Sequence, residues 1–202
     1  MLWGVFVSTF GGRFVAKPTL TIVIASTRPG RAGLPIGQWF EKVAREHGGF
    51  EVQVADLAEI NLPLMDEPKH PRLRDYQHEH TKKWSELVDG SDAFVFVLPE
   101  YNFGFPASIK NALDYLWAEW NYKPLGFVSY GGASGGMRAV QALKPIASTL
   151  KLHPITEQVA LHGFAKHLED GEFVATEDHE AAAKAMLEEL QRVEGAMRPL
   201  RS

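Results

Sequence analysis

The chain has 202 residues, 45% of them hydrophobic and 23% charged, with no cysteine and 21 Lys+Arg against 25 Asp+Glu. This composition excludes a disordered or fibrous chain, and at this length folding buries about 70% of the unfolded surface without help from a disulfide or structural metal. It also excludes thiol catalysis, iron–sulfur ligation and thiolate zinc sites, and a formal charge of −4 gives no general attraction to nucleic acid or anionic lipid.

Residues 1–17 are apolar at first but lack the basic start and cleavage site of a leader, so they are expected to form a loosely ordered extension. Residues 18–202 are expected to be one domain, since no repeat, linker or low-complexity tract divides them. No apolar run approaches the roughly 20 residues that span a bilayer. Neither a membrane nor nucleic acid is expected as a partner, and the absence of cysteine suits a cytoplasmic location.

The run Thr19 to Ser26 is β-branched and almost continuously apolar, the mark of a strand buried on both faces and hence of a parallel sheet. A helix follows with Ile36, Phe40, Val43, Ala44 and His47 on one side, stopped by Gly48-Gly49, and Phe50 to Leu57 is a second strand. Residues 63–71 are rich in proline and charge. Asp75 to Asp89 spaces Tyr76, His80, Trp84, Leu87 and Val88 as a helical stripe, and Asp92 to Pro99 is a third buried strand. After a loop from Glu100 to Phe105, Pro106 opens a helix carrying Ile109, Ala112, Leu113, Leu116 and Trp117. Leu125 to Tyr130 is a fourth strand. The glycine-rich turn 131–136 leads to a helix through Met137, Val140, Leu143, Ile146, Ala147 and Leu150, with a kink expected at Pro145. Ile155 to Leu161 is a fifth strand, and Glu180 to Glu194 a last amphipathic helix. Five strands alternating with helices, joined by right-handed crossovers, predict an α/β, flavodoxin-like, doubly wound five-stranded parallel sheet in the order 2-1-3-4-5.

Ligands in such sheets bind beyond the carboxyl ends of the strands, at the switch between the first and third. Three loops converge there: Ser26 to Gly33, Pro99 to Pro106 and Ser129 to Gly136. The first, Ser26-Thr-Arg-Pro-Gly-Arg31, brings hydroxyls and two guanidinium groups to a helix N-terminus and reads as an anion cradle suited to a terminal monophosphate. It lacks both the Gly-Lys-Ser/Thr ending of a nucleoside-triphosphate loop and G-x-G-x-x-G. In the third loop, Gly131, Gly132, Gly135 and Gly136 permit backbone to approach the edge of a flat ring. Tyr101, Phe103 and Phe105 offer aromatic contact to a ligand, or to the core or a second subunit.

Ser26-Thr-Arg-Pro-Gly-Arg31, Leu98-Pro-Glu-Tyr-Asn102 with Pro106, Lys110-Asn-Ala-Leu-Asp114 and Ser129-Tyr-Gly-Gly-Ala-Ser-Gly-Gly136 together resemble the NADPH-dependent FMN reductase family, over about residues 19–165. The resemblance implies FMN as cofactor and NADPH or NADH as co-substrate. Hydride would pass to the flavin and electrons then go to a small-molecule acceptor such as a quinone, flavin, azo compound or metal oxyanion. It implies that Ser26, Arg28, Arg31 and Gly33 hold the phosphate, that Pro99, Glu100, Tyr101 and Asn102 border the ribityl chain and flavin, and that Ser129, Tyr130, Gly131, Gly132, Ser134 and Gly135 line the flavin edge. Arg31 stands where many members carry a small polar residue. No side chain is expected to act as a general base, because the flavin carries the chemistry.

Two rival readings come from the same residues. One is an FMN-binding electron carrier or regulator without enzymatic activity. The other is a serine hydrolase, because Gly132-Ala-Ser134-Gly-Gly136 matches the nucleophile elbow, with Asp170 and His179 later in the chain as partners. His78-Glu-His80 reads as solvated polar surface, since helix residues two apart face different ways, and no metal site is expected. Trp117, Trp120 and Tyr122 form a cluster of large aromatics that a monomer would expose, so a homodimer or dimer of dimers is expected.

Overall fold

The computed structural model describes residues 17–201. At its centre β1 (Thr19–Ile24) and β3 (Ala93–Pro99) run parallel, Leu20 opposite Ala93 and Ile24 opposite Val97. Both are buried almost throughout, because an uninterrupted apolar strand satisfies its side chains only when helices cover both faces. β2 (Glu51–Asp56) lies outside β1, β4 (Lys123–Gly131) outside β3, and β5 (Leu152–Pro154) beyond β4. The order is 2-1-3-4-5, the flavodoxin-like arrangement expected. The expectation for residues 1–17 falls, Lys17 apart, outside the described residues.

Helices α1 (Gly33–His47) and α6 (Glu177–Met197) cover one face through Phe40, Met186 and Leu190. Helices α3 (Glu79–Asp89), α4 (Ala107–Asp114) and α5 (Met137–Thr149) cover the other through Trp84, Leu113 and Val140. A single turn, α2 (Leu57–Ile60), is capped by the Asp56 carboxylate, which accepts from the Ala58 N–H at 3.0 Å.

Four expectations need correction. The fifth strand is not continuous from Ile155 to Leu161. Ile155 donates its N–H to Leu125, the polar run Thr156-Glu157-Gln158 leaves the ladder, and β6 (Val159–His162) then rejoins β4 opposite Val128 to Gly131. Helix α3 begins at Glu79 rather than Asp75, because the N–H groups of Gln77 and His78 donate to the Glu67 carboxylate at 2.8 and 3.0 Å. His78 is therefore an extended N-cap and not a helical residue, so its ring stacks on His80 at 5.2 Å instead of facing away. Helix α4 ends at Asp114, and a short 3₁₀ turn, Ala118–Trp120, swings Trp120 into the core against Trp84 and Phe94. Trp120 is fully buried, Trp117 packs beneath Arg72, and Tyr122 lies under Lys151, so this cluster gives no ground for a dimer.

The chain between β6 and α6 folds into a short two-stranded hairpin, β7 (Leu168–Glu169) and β8 (Glu172–Phe173). Its Phe173 packs with Trp39 of α1 at 5.2 Å. Phe164, just before it, meets Tyr130 edge-on at 5.1 Å.

Candidate active site

Beyond β1 the chain passes Ser26, fully buried, and then an exposed stretch from Thr27 to Gly30 that closes with the Arg31 N–H on the Arg28 carbonyl. Helix α1 starts at Gly33 with Ala32 as its N-cap, so no side chain accepts from its first turn, and that turn holds no acidic residue. Its unpaired N–H groups and the positive end of its dipole are thus uncompensated by the protein. Two buried hydroxyl oxygens stand beside it, Ser26 Oγ and Tyr130 OH, and neither has a hydrogen-bond partner. A β-carbon on Gly33 would lie 2.1 Å from the first and 2.6 Å from the second. Burial pushes the Tyr130 phenol well up, and the neighbouring Ser26 hydroxyl pulls it the other way. Buried polar oxygens without partners are rare. Here they sit together with an uncapped helix end, a combination that fits the oxygens of a phosphate.

The two arginines of this loop differ. Arg28 is exposed and makes no ion pair among the described residues, although its charge is felt at the Tyr130 hydroxyl. Arg31 forks onto Asp56, with Nη1 2.6 Å from Oδ1 and Nη2 2.5 Å from Oδ2, and Nη1 also donates to the Ser26 carbonyl at 2.7 Å. Three of its five donors are thereby used within the protein, so Arg31 ties the first loop to the end of β2 instead of standing free as a phosphate ligand.

The second and third loops are bolted together. Pro99 pairs with Tyr130 across the β3–β4 ladder, and the Glu100 N–H donates to the Tyr130 carbonyl. The Glu100 carboxylate, only 5% exposed, accepts from the Ser134 hydroxyl at 2.7 Å, from the Arg138 N–H at 3.2 Å and from Arg138 Nε at 2.6 Å. Burial acts to raise its pKa, but Arg138 and Ser134 prevail and hold it below the usual range. Glu100 thus caps α5 from a different strand. Tyr101 and Gly104 exchange both backbone hydrogen bonds at 2.9 Å, with Asn102 at φ 50° and Phe103 at φ 71°, a type I′ turn that presents both aromatic rings to solvent.

In the third loop Ser129 Oγ donates to the Gly135 carbonyl at 2.8 Å. Gly136 needs its φ of 83° and its missing side chain, since a β-carbon would lie 2.7 Å from the Tyr130 nitrogen. Gly132 is open, with nothing within 4 Å of a β-carbon there. The hydrolase reading fails on these contacts. Ser134 gives its proton to Glu100, while His179 is engaged with Thr176 in the capping box of α6 and packs against His167 at 5.1 Å. Asp170 lies in the turn of the β7–β8 hairpin.

Next to the first loop a cleft of about 390 Å³ opens between α2 and α4, lined by Thr27, Leu57, Asn61, Ser108 and Asn111. Asn111 fixes its far wall by donating to the Pro63 carbonyl at 2.6 Å and accepting from the Met65 N–H at 2.9 Å. Asp56, Arg138 and Asn111 are the site residues that sequence reasoning missed as such. Asn111 lay inside a block already singled out, whereas Asp56 and Arg138 find partners 25 and 38 residues away, for which no local pattern exists.

The family model of the NADPH-dependent FMN reductases matches residues 18–166. The chain belongs to that family. It is 41% identical over 146 residues to a NAD(P)H-dependent FMN reductase of Schizosaccharomyces pombe, an alignment spanning 71% of this chain and 72% of the relative. An NADPH:quinone oxidoreductase of Arabidopsis thaliana is 42% identical over 111 residues, 52% of each chain. Among solved structures, the flavoenzyme FerB, an NAD(P)H:(acceptor) oxidoreductase from Paracoccus denitrificans, superposes with a TM-score of 0.71 at 18% identity, covering 89% of this chain and 98% of that one. The member described here is therefore an oxidoreductase of FMN and NAD(P)H. Among the described residues no helix is long and apolar enough to cross a membrane.

Proposed function

We propose that this reductase carries FMN as a resident cofactor and passes electrons from NAD(P)H to a small planar acceptor of the quinone class. The observation that carries the reading is the pair of buried, partnerless hydroxyls on Ser26 and Tyr130 facing Gly33 at the uncapped start of α1. Ser26, the N–H groups of Gly33 and Leu34 and the free Arg28 would hold the phosphate, with Arg31 and Asp56 positioning the loop, since Pro35 has no N–H and the Ile36 N–H is taken by the Ala32 carbonyl. The backbone of Pro99, Glu100, Tyr101 and Asn102 would border the ribityl chain. Ser129 to Gly132, with Ser134 and Gly135, would border the ring edge, where the absence of side chains lets N–H groups come close. Bound FMN supplies the redox chemistry, accepting from NAD(P)H and giving to the acceptor. The protein's share is orientation and a field of backbone dipoles. The quinone assignment is supported by the Arabidopsis relative's name and by the two exposed aromatics beside the site. The homodimer or dimer of dimers is kept within this proposal, now on the exposed Leu64, Met65 and Leu73.

The test is spectroscopic. Purified protein should be yellow and release FMN in near-equal amount to chain, and NADPH under anaerobic conditions should bleach it before any acceptor is added. Protein that stays colourless with added FMN refutes the cofactor. A flavin that NADPH does not bleach makes the chain an electron carrier instead.

A further inference from the structure

Phe103 pays two structural penalties at once. It is a β-carbon-bearing residue held at φ 71° in the third position of a type I′ turn, where glycine is relaxed and L-residues are disfavoured. Its ring is also apolar and 69% exposed, so the turn does not bury it in return. Strain and exposed aromatic surface that coincide on one residue beside a binding site point to a role in binding.

The ring is nevertheless oriented. The Arg138 guanidinium lies 3.6 Å from its centroid and covers one face. Arg138 is itself fixed by Glu100, whose carboxylate also receives the Ser134 hydroxyl. The covered face is therefore anchored to both turns that border the proposed flavin position, and the exposed area belongs to the opposite face and edges. A preoriented aromatic plate with one open face is suited to a flat ring, since little conformational freedom is lost when the ring stacks.

We propose that Phe103 is the contact surface for the electron acceptor and sets a preference for flat aromatic acceptors, quinones above all, over compact inorganic ones. Arg138 acts through it as a positioning residue. The inference rests on the reductase reading above and alters recognition alone, since the quinone still takes up two electrons and two protons to leave as the hydroquinone.

The experiment uses FMN-loaded Phe103→Gly, Phe103→Leu and Phe103→Tyr, with 2-methyl-1,4-naphthoquinone and ferricyanide as alternative acceptors. For glycine the ratio of kcat/KM for the naphthoquinone to that for ferricyanide should fall about three- to tenfold, the range for one lost aromatic contact, and the loss should lie in KM. Tyrosine should restore the ratio and leucine should not. Phe103→Gly should also melt at a higher temperature than the parent, because the turn relaxes. Stability and selectivity moving in opposite directions is a result that a purely structural residue cannot give. An unchanged ratio, or equal losses with both acceptors, overturns the proposal. A parent protein that holds no FMN would instead refute the reductase reading, and it is recognised by its colour before any acceptor is tested.

Discussion

Replacing Gly33 by alanine probes the phosphate cradle with a single carbon atom. The new β-carbon would stand 2.1 Å from Ser26 Oγ and 2.6 Å from Tyr130 OH, where real β-carbons essentially never come within 3.0 Å. Neither neighbour has room to withdraw: Ser26 is fully buried at the end of β1, and Tyr130 is 4% exposed within β4. Alanine would otherwise favour the helix by about 0.5–1 kcal/mol over glycine. Overpacking a buried site costs about 1–3 kcal/mol, and two contacts this short place the cost in the upper half of that range. The expected net loss is about 1–2.5 kcal/mol, read as a lower urea midpoint for the FMN-free protein. FMN affinity should fall as well, because the added methyl occupies the space in front of both hydroxyls. Adding Ser26→Ala and Tyr130→Phe removes the two offending oxygens, so the triple variant should regain stability without regaining FMN. A Gly33→Ala protein that unfolds at or above the parent midpoint, or binds FMN as tightly as the parent, refutes the cradle.

Three further outcomes follow from the same structure. Arg28→Ala removes a charge-assisted contact worth about 1.5–3 kcal/mol and should weaken FMN about tenfold to a hundredfold in titration calorimetry while hardly affecting riboflavin; equal losses would mean a general collapse. Asp56→Asn breaks the fork of Arg31 and should cost about 1.5–3 kcal/mol in chemical denaturation, and a loss under about 0.5 kcal/mol would show the pair to be ornamental. Lys123 donates to the Val88 and Asp89 carbonyls at the end of α3, and burial pushes its ammonium down to about 8 from 10.5. The native state therefore binds fewer protons than the unfolded one between those values, so stability rises from pH 8 to 10 by about 2 kcal/mol, a rise that Lys123→Met should abolish.

Strand order was legible because long apolar runs announce buried parallel strands, and a candidate site could be named because the loops after them are rich in Gly, Ser and Pro. The ends of elements were less so. Glu67 holds the N–H groups of Gln77 and His78 in an extended approach, so α3 starts four residues later than its apolar stripe suggests, and the polar run Thr156-Glu157-Gln158 drops out of the ladder. Trp120 read as surface because nothing local reveals that α4 stops at Asp114 and turns the indole inward. The two arginines of the first loop look alike in the sequence, and only the placement of Asp56 separates the free one from the forked one.

The interrupted fifth strand bears on how the protein behaves at high concentration. A sheet edge with a long row of unpaired amides recruits further strands. On this side the outer row is cut into pieces of three and four residues by the departure of residues 156–158, too short to seed a foreign strand in register. The opposite edge, β2, runs unbroken for six residues with Val54 exposed, and only Glu51 guards its start with charge. Among the described residues β2 is thus the longer uninterrupted edge of the main sheet, and it is the place to add a charge if the protein must be kept dispersed.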